Sequence, residues 1–437
     1  MSELSNRNRI LIIDSGGGYG GPGAFLQYLL KYLDKDKFQP VVAFYFYHAS
    51  PETRALQEMG VPVLFLSGNR ALAHYLQSKF LSGGSKWKWL NLGKELLRFL
   101  LLFILIDVSQ VWRLLSILKR NRIDLIVLNN DVHYHRVAAL AARISGIPCI
   151  CRKAGGIGEG KLFKKILTPW IDLFIAISAA TSRDQLENNP ATRRMVTIFE
   201  GVDLKKFDPS SAHPELRTEL GIPADRKVVG YISRLVEGKG HNEFVEAAVS
   251  IVRNYKDVVF LIVGNDEAGI DGPSMKYLKN KVQHLGLADY FVFVGWRTDI
   301  PQILSILDVF VHCPTTWIEG LGIAHLEAMA MAKPTVVSQN GGLPDAAVDG
   351  RTGFIVPPGD IDKLSSAILR LLRDQELASR LGRNARQRVE ELFDVEKNTR
   401  KLEVLFEEYS LRNQLASKRL PPVRPGSADR ALRETAE

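Results

Sequence analysis

Short apolar runs that alternate with helical patterns are the feature of this 437-residue chain that most limits its fold. In the first half the runs are RILIID, VVAFYFY, DLIVLNN, PCICR and LFIAIS. In the second half they are KVVGYIS, VVFLIVG, YFVFVG, VFVHC, PTVVS and GFIVP. Buried strands that alternate with helices are typical of parallel α/β sheets. The sequence therefore predicts an α/β protein with two Rossmann-like, doubly wound parallel-sheet domains.

The domain limits follow from changes in composition. The polar, turn-rich stretch Phe199–Pro209 indicates a boundary, so we expect a first domain at 1–200 and a second at 201–394. We expect a C-terminal helix at 395–412 that packs back on the first domain. The last segment, 413–437, is rich in Pro and charge and is expected to be disordered.

An insertion between residues 72 and 122 interrupts the alternation and contains no clear strand. Its longest uncharged apolar run, Phe99–Ile106, is too short to span a bilayer. Trp87 and Trp89 alternate with lysines. The basic residues that flank its apolar stretches are Arg98, Arg113, Lys119 and Arg120. This composition suits helices in a membrane interface, and the alternative is an apolar helix packed on the domain.

Composition excludes several classes of protein. The chain has 3 cysteines without zinc-type or disulfide spacing, and its N-terminus lacks the apolar segment of a signal peptide. We therefore expect a cytoplasmic protein. The net charge is +9, but the basic residues are spread along the chain and no nucleic-acid-binding motif occurs. No nucleic-acid partner is expected.

A glycine-rich loop, DSGGGYGGPGAF, follows the first predicted strand. Its glycines at positions 16, 18 and 21 fit the G-x-G-x-x-G pattern of dinucleotide-binding proteins. That fingerprint also requires an acidic residue after the next strand, where this chain has Tyr47 and His48. The alternative is a turn in which glycine lets the backbone approach some other ligand closely.

Two glutamates mark a candidate site in the second half. Glu319 precedes a predicted helix and Glu327 lies in its second turn. Gly320 and Gly322 leave backbone N–H groups bare at the start of that helix, which favours phosphate. Carboxylates beside such a site suit sugar or ribose hydroxyls. The alternative is a surface helix with two solvated glutamates.

Three more strand ends point to the same edge of the second sheet. Arg234 and Lys239 follow one predicted strand, and Gly264 and Gly295 end two others. Ligands of open α/β sheets bind at the carboxyl ends of strands, and Arg and Lys suit phosphate oxygens. The sequence therefore predicts one phosphate-binding crevice there.

These motifs resemble family 4 of the retaining glycosyltransferases. The matching segments are GYISRLVEGKG, FLIVGN, FVGWRTDIP, EGLGIAHLEAMAMAKPTVVSQNGGLPD, DGRTGFIVPPGD, FIAISAAT and TIFEGVDLKKF. The resemblance runs from about Arg9 to Tyr409 and is more specific in the second half. It implies the GT-B fold, in which two Rossmann-like domains face each other across a cleft. The first domain would be the acceptor side and the second would bind the nucleotide sugar.

The resemblance also implies roles for individual residues. Arg234 and Lys239 would bind and neutralise the donor diphosphate, and Glu319 would contact the donor sugar. Glu327 would hold the ribose, and Arg297 lies in the loop expected to touch the base. The backbone positions implied in donor binding are Gly20 and Gly21 in the first domain and Gly264, Gly320, Leu321, Gly322 and Ile323 in the second.

The chain departs from the family at three positions. Many members have a histidine where this chain has Ala154, and the nearest histidines are His133 and His135 in the preceding loop. Glu200 stands where Asn is usual, and Asp345 where Glu is usual. The first two departures concern acceptor-side chemistry more than donor binding.

The reaction implied is retaining transfer of a sugar from a UDP- or GDP-sugar to a glycolipid, lipid-linked or polysaccharide acceptor in cell-envelope glycan synthesis, such as that of lipopolysaccharide. No metal and no other cofactor are expected, because the basic residues and the helix N-terminus stabilise the leaving diphosphate. A cytoplasmic enzyme, peripheral on the inner face of the membrane, is expected. The alternatives are a sugar-nucleotide epimerase or a phosphorylase on the same fold, or a non-catalytic sugar-nucleotide-binding protein.

Overall fold

The computed structural model describes residues 7–14, 21–46, 51–67, 108–155, 161–266 and 272–417. Contacts divide the chain into two compact units. The first unit comprises residues 1–177, 182–198 and 399–437, and the second comprises 178–181 and 199–398.

The first unit contains a sheet of seven parallel strands. They are β1 (Asn8–Asp14), β2 (Phe38–Phe46), β3 (Val63–Ser67), β4 (Leu125–Asn129), β5 (Cys149–Lys153), β6 (Leu173–Ala176) and β7 (Met195–Thr197). Their order is β3-β2-β1-β4-β5-β6-β7. Strands β2 and β3 are added on one side of β1 and strands β4 to β7 on the other, so the strand order reverses between β1 and β4. Crevices at such a reversal are where open α/β sheets place ligands.

Helices cover both faces of this sheet. In chain order they are α1 (Gly21–Tyr32), α2 (Pro51–Glu58), α3 (Ser109–Arg120), α4 (Arg136–Ser145), α5 (Lys161–Leu167) and α6 (Ala179–Asn188). Leu29 of α1 and Leu56 of α2 belong to the core on one face. Leu114 of α3, Ala138 of α4 and Leu167 of α5 belong to the core on the other. Apolar residues on both sides of each strand therefore give the first unit its doubly wound form.

The second unit contains a six-stranded parallel sheet of order β10-β9-β8-β11-β12-β13. Its strands are β8 (Lys227–Ile232), β9 (Val258–Val263), β10 (Phe291–Gly295), β11 (Val309–His312), β12 (Thr335–Ser338) and β13 (Gly353–Val356). Its helices are α7 (Glu215–Glu219), α8 (His241–Asn254), α9 (Pro273–His284), α10 (Ile300–Ser305), α11 (Ile323–Ala330), α12 (Leu343–Ala346), α13 (Ile361–Arg373) and α14 (Gln375–Leu392).

The last described helix, α15 (Val395–Ser417), begins in the second unit and ends in the first. Its Leu402, Leu405 and Phe406 are buried in the core of the first unit that contains α1. The predicted end at residue 412 was five residues too early. The sequence NQLAS contains no helix breaker, so the helix continues beyond it.

All eleven runs predicted as strands are strands, with ends that differ by three residues or fewer. The prediction omitted β3 and β7. Of the insertion at 72–122, residues 108–122 are described and they form α3, whereas Trp87, Trp89, Arg98 and Phe99–Ile106 lie outside the described residues. In the part of the chain that the structure describes, no helix is long and apolar enough to cross a membrane.

Candidate active site

The carboxyl edge of the second sheet brings the predicted donor residues together. The strand order places β9 and β11 on either side of β8, so the loops that follow these three strands are neighbours. Arg234 and Lys239 follow β8, Gly264 follows β9, and Glu319 follows β11. Gly264 has φ +130°, and a Cβ there would lie 1.9 Å from the carbonyl oxygen of Ser233. Only glycine lets the β9 end approach the β8 loop this closely.

A buried ion pair lies at the centre of this edge. The Lys239 ammonium contacts Oε1 of Glu319, and Nε2 of His312 donates to the same oxygen at 2.9 Å. Burial opposes ionisation of Glu319, but the His312 hydrogen bond and the Lys239 charge lower the pKa of Glu319 to about 2. Burial lowers the pKa of Lys239, and Glu319 opposes that shift. Glu319 is therefore an ionised acceptor at neutral pH.

Two glycines shape the loop that carries Lys239. Gly238 and Gly240 have φ of +80° and +88°. A Cβ at Gly240 would lie 1.9 Å from the carbonyl oxygen of Cys313. The Gly238 carbonyl accepts hydrogen bonds from the amides of Thr315, at 2.8 Å, and Trp317, at 3.2 Å. The loops after β8 and β11 are thus joined through their backbones.

Trp317 is a site residue that the sequence analysis missed. Its ring centre lies 5.3 Å from Cζ of Arg234 and 4.9 Å from Nζ of Lys239, within the range of cation–π contacts. The side chain is 39 % exposed, so the aromatic ring borders the solvent beside both cations. The signal in the sequence was an aromatic residue two positions before Glu319.

Asn340 was also missed, and it fixes the backbone of Glu319. Its Oδ1 accepts from the Glu319 amide at 3.1 Å, and the Glu319 carbonyl accepts from the Gly342 amide at 2.9 Å. Gly341, at φ +54°, would place a Cβ 2.0 Å from that carbonyl. The segment QNGG therefore holds Glu319 in place.

Helix α11 begins after Gly322, which has φ +84°. As predicted, Glu327 lies in its second turn. Burial raises the pKa of Glu327 to about 7, and the charge of Lys206 opposes the rise. Near neutral pH, Glu319 is therefore ionised and Glu327 is only partly ionised. Glu319 lies shortly before α11, and Glu327 lies within it.

Arg297 lies apart from this cluster. It follows β10, the edge strand, which is separated from β8 by β9. Its Nε donates to Asp299 at 2.8 Å and its guanidinium contacts Glu219 at 3.1 Å. Two carboxylates thus bind the side chain of Arg297, whose loop is expected to touch a nucleotide base.

In the first unit, Gly20 lies outside the described residues and Gly21 begins α1. A buried charge network that the sequence did not predict lies at the ends of β4 and β5. Asp131 contacts the Lys153 ammonium and accepts from Lys164 at 2.8 Å, and Asp184 contacts Lys153 at 2.9 Å.

His133 and His135 lie in the turn beside this network. Nδ1 of His133 is 3.2 Å from Asp131. Nδ1 of His135 is 3.2 Å from the Tyr45 hydroxyl, and burial lowers the pKa of His135 to about 3. Among the described residues, no group of three His, Cys, Asp or Glu side chains is arranged to hold a metal ion.

Comparisons with known proteins agree with this architecture. A family model described as Glycosyl transferases group 1 matches residues 213–388, and one described as Glycosyltransferase Family 4 matches residues 19–206. The UDP-Gal:alpha-D-GlcNAc-diphosphoundecaprenol alpha-1,3-galactosyltransferase of Escherichia coli is 30 % identical over 322 residues, which are 69 % of this chain and 79 % of that protein.

Two further similarities extend this result. A second relative is the GDP-mannose-dependent alpha-(1-6)-phosphatidylinositol monomannoside mannosyltransferase of Mycolicibacterium smegmatis, which is 34 % identical over 42 % of this chain. The match covers 48 % of that relative, so this chain spans about half of its length. The crystal structure of Anabaena Alr3699/HepE in complex with UDP has a TM-score of 0.74 and 22 % identity, and the match covers 92 % of this chain and 100 % of that one. At this identity the structural match shows the fold alone.

The expected family, fold and enzyme class are confirmed. The two family models cover most of both units, and the galactosyltransferase relative is matched over more than two thirds of its length. The chain therefore belongs to the family 4, group 1 glycosyltransferases, and it is an α/β enzyme of the GT-B fold that transfers a sugar from a nucleotide-sugar donor.

Proposed function

We propose that the protein is a retaining glycosyltransferase that moves a sugar from a UDP- or GDP-sugar to a glycolipid, lipid-linked or polysaccharide acceptor of the cell envelope. The names of its relatives support this range of substrates. One relative uses UDP-Gal with a diphosphoundecaprenol acceptor, one is a GDP-mannose-dependent enzyme acting on a phosphatidylinositol mannoside, and one is a lipopolysaccharide core mannosyltransferase of Rhizobium meliloti. In this proposal the first unit is the acceptor side and the second unit binds the donor.

The observation that carries the proposal is the convergence of Arg234, Lys239 and Glu319 at the carboxyl edge of the second sheet. Transfer proceeds through an oxocarbenium-like state while negative charge develops on the leaving diphosphate. In our proposal Arg234 and Lys239 stabilise that charge, so no metal or other cofactor is required. Glu319, which is ionised at neutral pH, accepts hydrogen bonds from hydroxyls of the donor sugar.

The remaining donor contacts are assigned to backbone amides and to Glu327. The amides of Gly320, Leu321 and Gly322 precede α11 and that of Ile323 starts it, and in this position they favour an anion. Glu327 accepts from the ribose hydroxyls, and Gly264 leaves room for the diphosphate. We keep Gly20 and Gly21 as proposed contacts of the donor phosphates. The loop of Arg297 stays the proposed base contact, through its backbone, since the guanidinium is bound to Asp299 and Glu219.

We also propose that the enzyme works in the cytoplasm as a peripheral protein on the inner face of the membrane. The support is the membrane-linked acceptor named for two relatives and the composition of the insertion at 72–122. A lipid-linked acceptor is available only at a membrane surface, so contact with lipid brings the enzyme to its substrate.

A thermal-shift screen followed by product analysis tests this function. UDP, GDP, UDP-galactose, UDP-glucose and GDP-mannose are each added to the protein, because a ligand that binds the native state raises the melting temperature. The stabilising nucleotide sugar is then incubated with a bacterial lipid extract. We expect label from the sugar in the lipid phase.

The alternatives give different products. An epimerase yields a second sugar nucleotide, and a phosphorylase yields a sugar phosphate in the presence of inorganic phosphate. A non-catalytic binding protein is stabilised but releases no nucleoside diphosphate with any acceptor. Each of these results contradicts the proposal.

A further inference from the structure

Three neighbouring helices of the first unit contain no acidic residue. Helices α3, α4 and α5 pack side by side on one face of the sheet. Their sequences are SQVWRLLSILKR, RVAALAARIS and KLFKKIL, with eight lysines and arginines and no Asp or Glu. Helix α15, which packs on the opposite face, carries four glutamates among its basic residues. The positive charge is thus concentrated on one side of this unit.

Much of this charge is exposed and uncompensated. Lys119, Arg120, Arg143 and Lys165 are exposed, and none of them forms an ion pair with any residue that the structure describes. Lys164 differs, because it is buried and binds Asp131 at 2.8 Å. These four exposed cations are therefore available to an external anionic partner.

Each of the three helices also exposes one large apolar side chain next to a cation in the sequence. Trp112 is 71 % exposed, Ile144 is 58 % exposed and Ile166 is 51 % exposed. Their neighbours are Arg113, Arg143 and Lys165. Tryptophan and aliphatic side chains among cations are the composition of a protein surface at the lipid–water interface. Binding to nucleic-acid phosphates explains the cations but not the exposed isoleucines.

We propose that the outer surface of α3, α4 and α5, the acid-free surface, docks the enzyme on an anionic lipid bilayer. Trp112, Ile144 and Ile166 enter the headgroup region, and the exposed cations face anionic lipid. The inference builds on the membrane-linked acceptor of the proposed function. Helix α3 belongs to the insertion at 72–122, and α4 and α5 extend the proposed contact surface beyond the insertion.

Vesicle flotation with charge-matched variants tests the proposal. Vesicles of phosphatidylcholine with about 30 % phosphatidylglycerol supply the anionic surface. The triple variant Lys119→Gln, Arg120→Gln, Arg143→Gln is compared with the control Arg253→Gln, Lys256→Gln, Lys276→Gln, which removes three exposed cations of the second unit. A cation near an anionic surface contributes about fivefold in affinity, so we expect the test variant to bind at least about tenfold more weakly. The control should bind like the wild type.

A second pair of variants isolates the contribution of the exposed aromatic side chain to vesicle binding. Trp112→Ser should lower vesicle binding severalfold, including at about 0.5 M salt, where surface charge is screened. Tyr277→Ser is its control, since Tyr277 is a 55 % exposed aromatic residue of α9 in the second unit. Melting temperatures close to wild type verify that all the variants fold.

The proposal is overturned if the wild type does not bind vesicles, or if the triple variant binds them as well as the wild type does. It is also overturned if the triple variant and its control lose binding equally. Tighter binding to random-sequence DNA than to vesicles through the same residues would overturn it as well. Calorimetry with UDP and GDP, without vesicles, separates this inference from the proposed function. Nucleotide binding without vesicle binding would contradict the acid-free surface alone, and vesicle binding without nucleotide binding would contradict the donor site alone.

Discussion

At the scale of single residues, the ion pair of Lys239 and Glu319 is better explained by function than by stability. Both residues are less than a tenth exposed, and taking two charges out of water costs about as much as their attraction returns. His312 and Asn340 hold Glu319 in one position although the buried ion pair adds little stability. Preorganised charge of this kind is what stabilisation of a leaving diphosphate requires.

The two glutamates should separate binding from transfer. In our proposal Glu327 accepts from the ribose, so Glu327→Gln should weaken binding of UDP or GDP about tenfold. Glu319→Gln should leave that affinity within about twofold and lower the transfer rate about a hundredfold or more, because in our proposal Glu319 contacts the sugar and not the nucleotide. Calorimetry with the free nucleotide and a transfer assay measure the two effects. If both variants bind the nucleotide like the wild type, the ribose role of Glu327 is wrong.

The raised pKa of Glu327, about 7, makes nucleotide binding depend on pH. If the ribose needs the carboxylate, affinity should rise about tenfold between pH about 6 and 8, as the group loses its proton. The matched control is Glu327→Gln, in which the pH dependence due to this group disappears. Calorimetric titrations of both proteins across this range check the prediction, and parallel pH profiles would contradict it.

The same group links stability to pH. Its pKa is about 7 in the folded protein against 4.5 in the unfolded chain, so the folded state holds the proton more tightly. The stabilisation from this proton is complete below pH 4.5 and is lost as pH rises through about 7. We therefore expect Glu327→Gln to melt at a higher temperature than the wild type at pH about 8. Equal melting temperatures there would show that the carboxylate is well solvated.

The site residues that the sequence predicts are those that local motifs mark. Arg234, Lys239 and Glu319 follow strands and precede helices, and parallel strands bring such loops to one edge. The sequence did not predict His312 and Asn340, because a histidine inside a strand and an asparagine in a loop carry no local signal of their shared partner. The contact of Arg297 with Glu219 was equally hard to predict, since the two residues are 78 positions apart.

At the scale of elements, strong periodic signals were recovered and weak ones were not. Strand β7 has three residues, and the apolar run of β3, VLFL, has only four and follows a Val-Pro pair, so both signals are short. The order of strands was not readable from the sequence, because it depends on which edges pair after the chain crosses the sheet. The end of α15 was placed too early because no capping residue marks it.

Helix α15 should contribute strongly to the stability of the first unit. Phe406 is 1 % exposed and its ring packs edge-on against Phe38 at 6.3 Å. Phe406→Ala should lower the free energy of unfolding by about 3–5 kcal/mol, because it deletes a buried aromatic ring. Val404→Ala is the control on the same helix, since Val404 is 45 % exposed and should change stability by about 0.5 kcal/mol or less. Urea unfolding of both variants tests this, and equal effects would show that α15 is not a core element.

At the scale of the whole molecule, each unit has its own parallel sheet and its own hydrophobic core. The two units also differ in where their positive charges lie. The second unit places the exposed Arg234 and the buried Lys239 at the carboxyl edge of its sheet, where we propose that a diphosphate binds, and the first unit exposes cations on α3, α4 and α5.

The most direct test of the donor site is calorimetric titration of UDP and GDP into the wild type and the double variant Arg234→Ala, Lys239→Ala. The control is Arg253→Ala, Lys256→Ala, which removes two exposed cations of the same unit. We predict that one of the two nucleotides binds the wild type and the control alike, with one site per chain. The double variant should bind it at least about a hundredfold more weakly, about 3 kcal/mol, because both diphosphate partners are gone. Equal affinity in all three proteins, or no binding of either nucleotide to the wild type, would contradict the account.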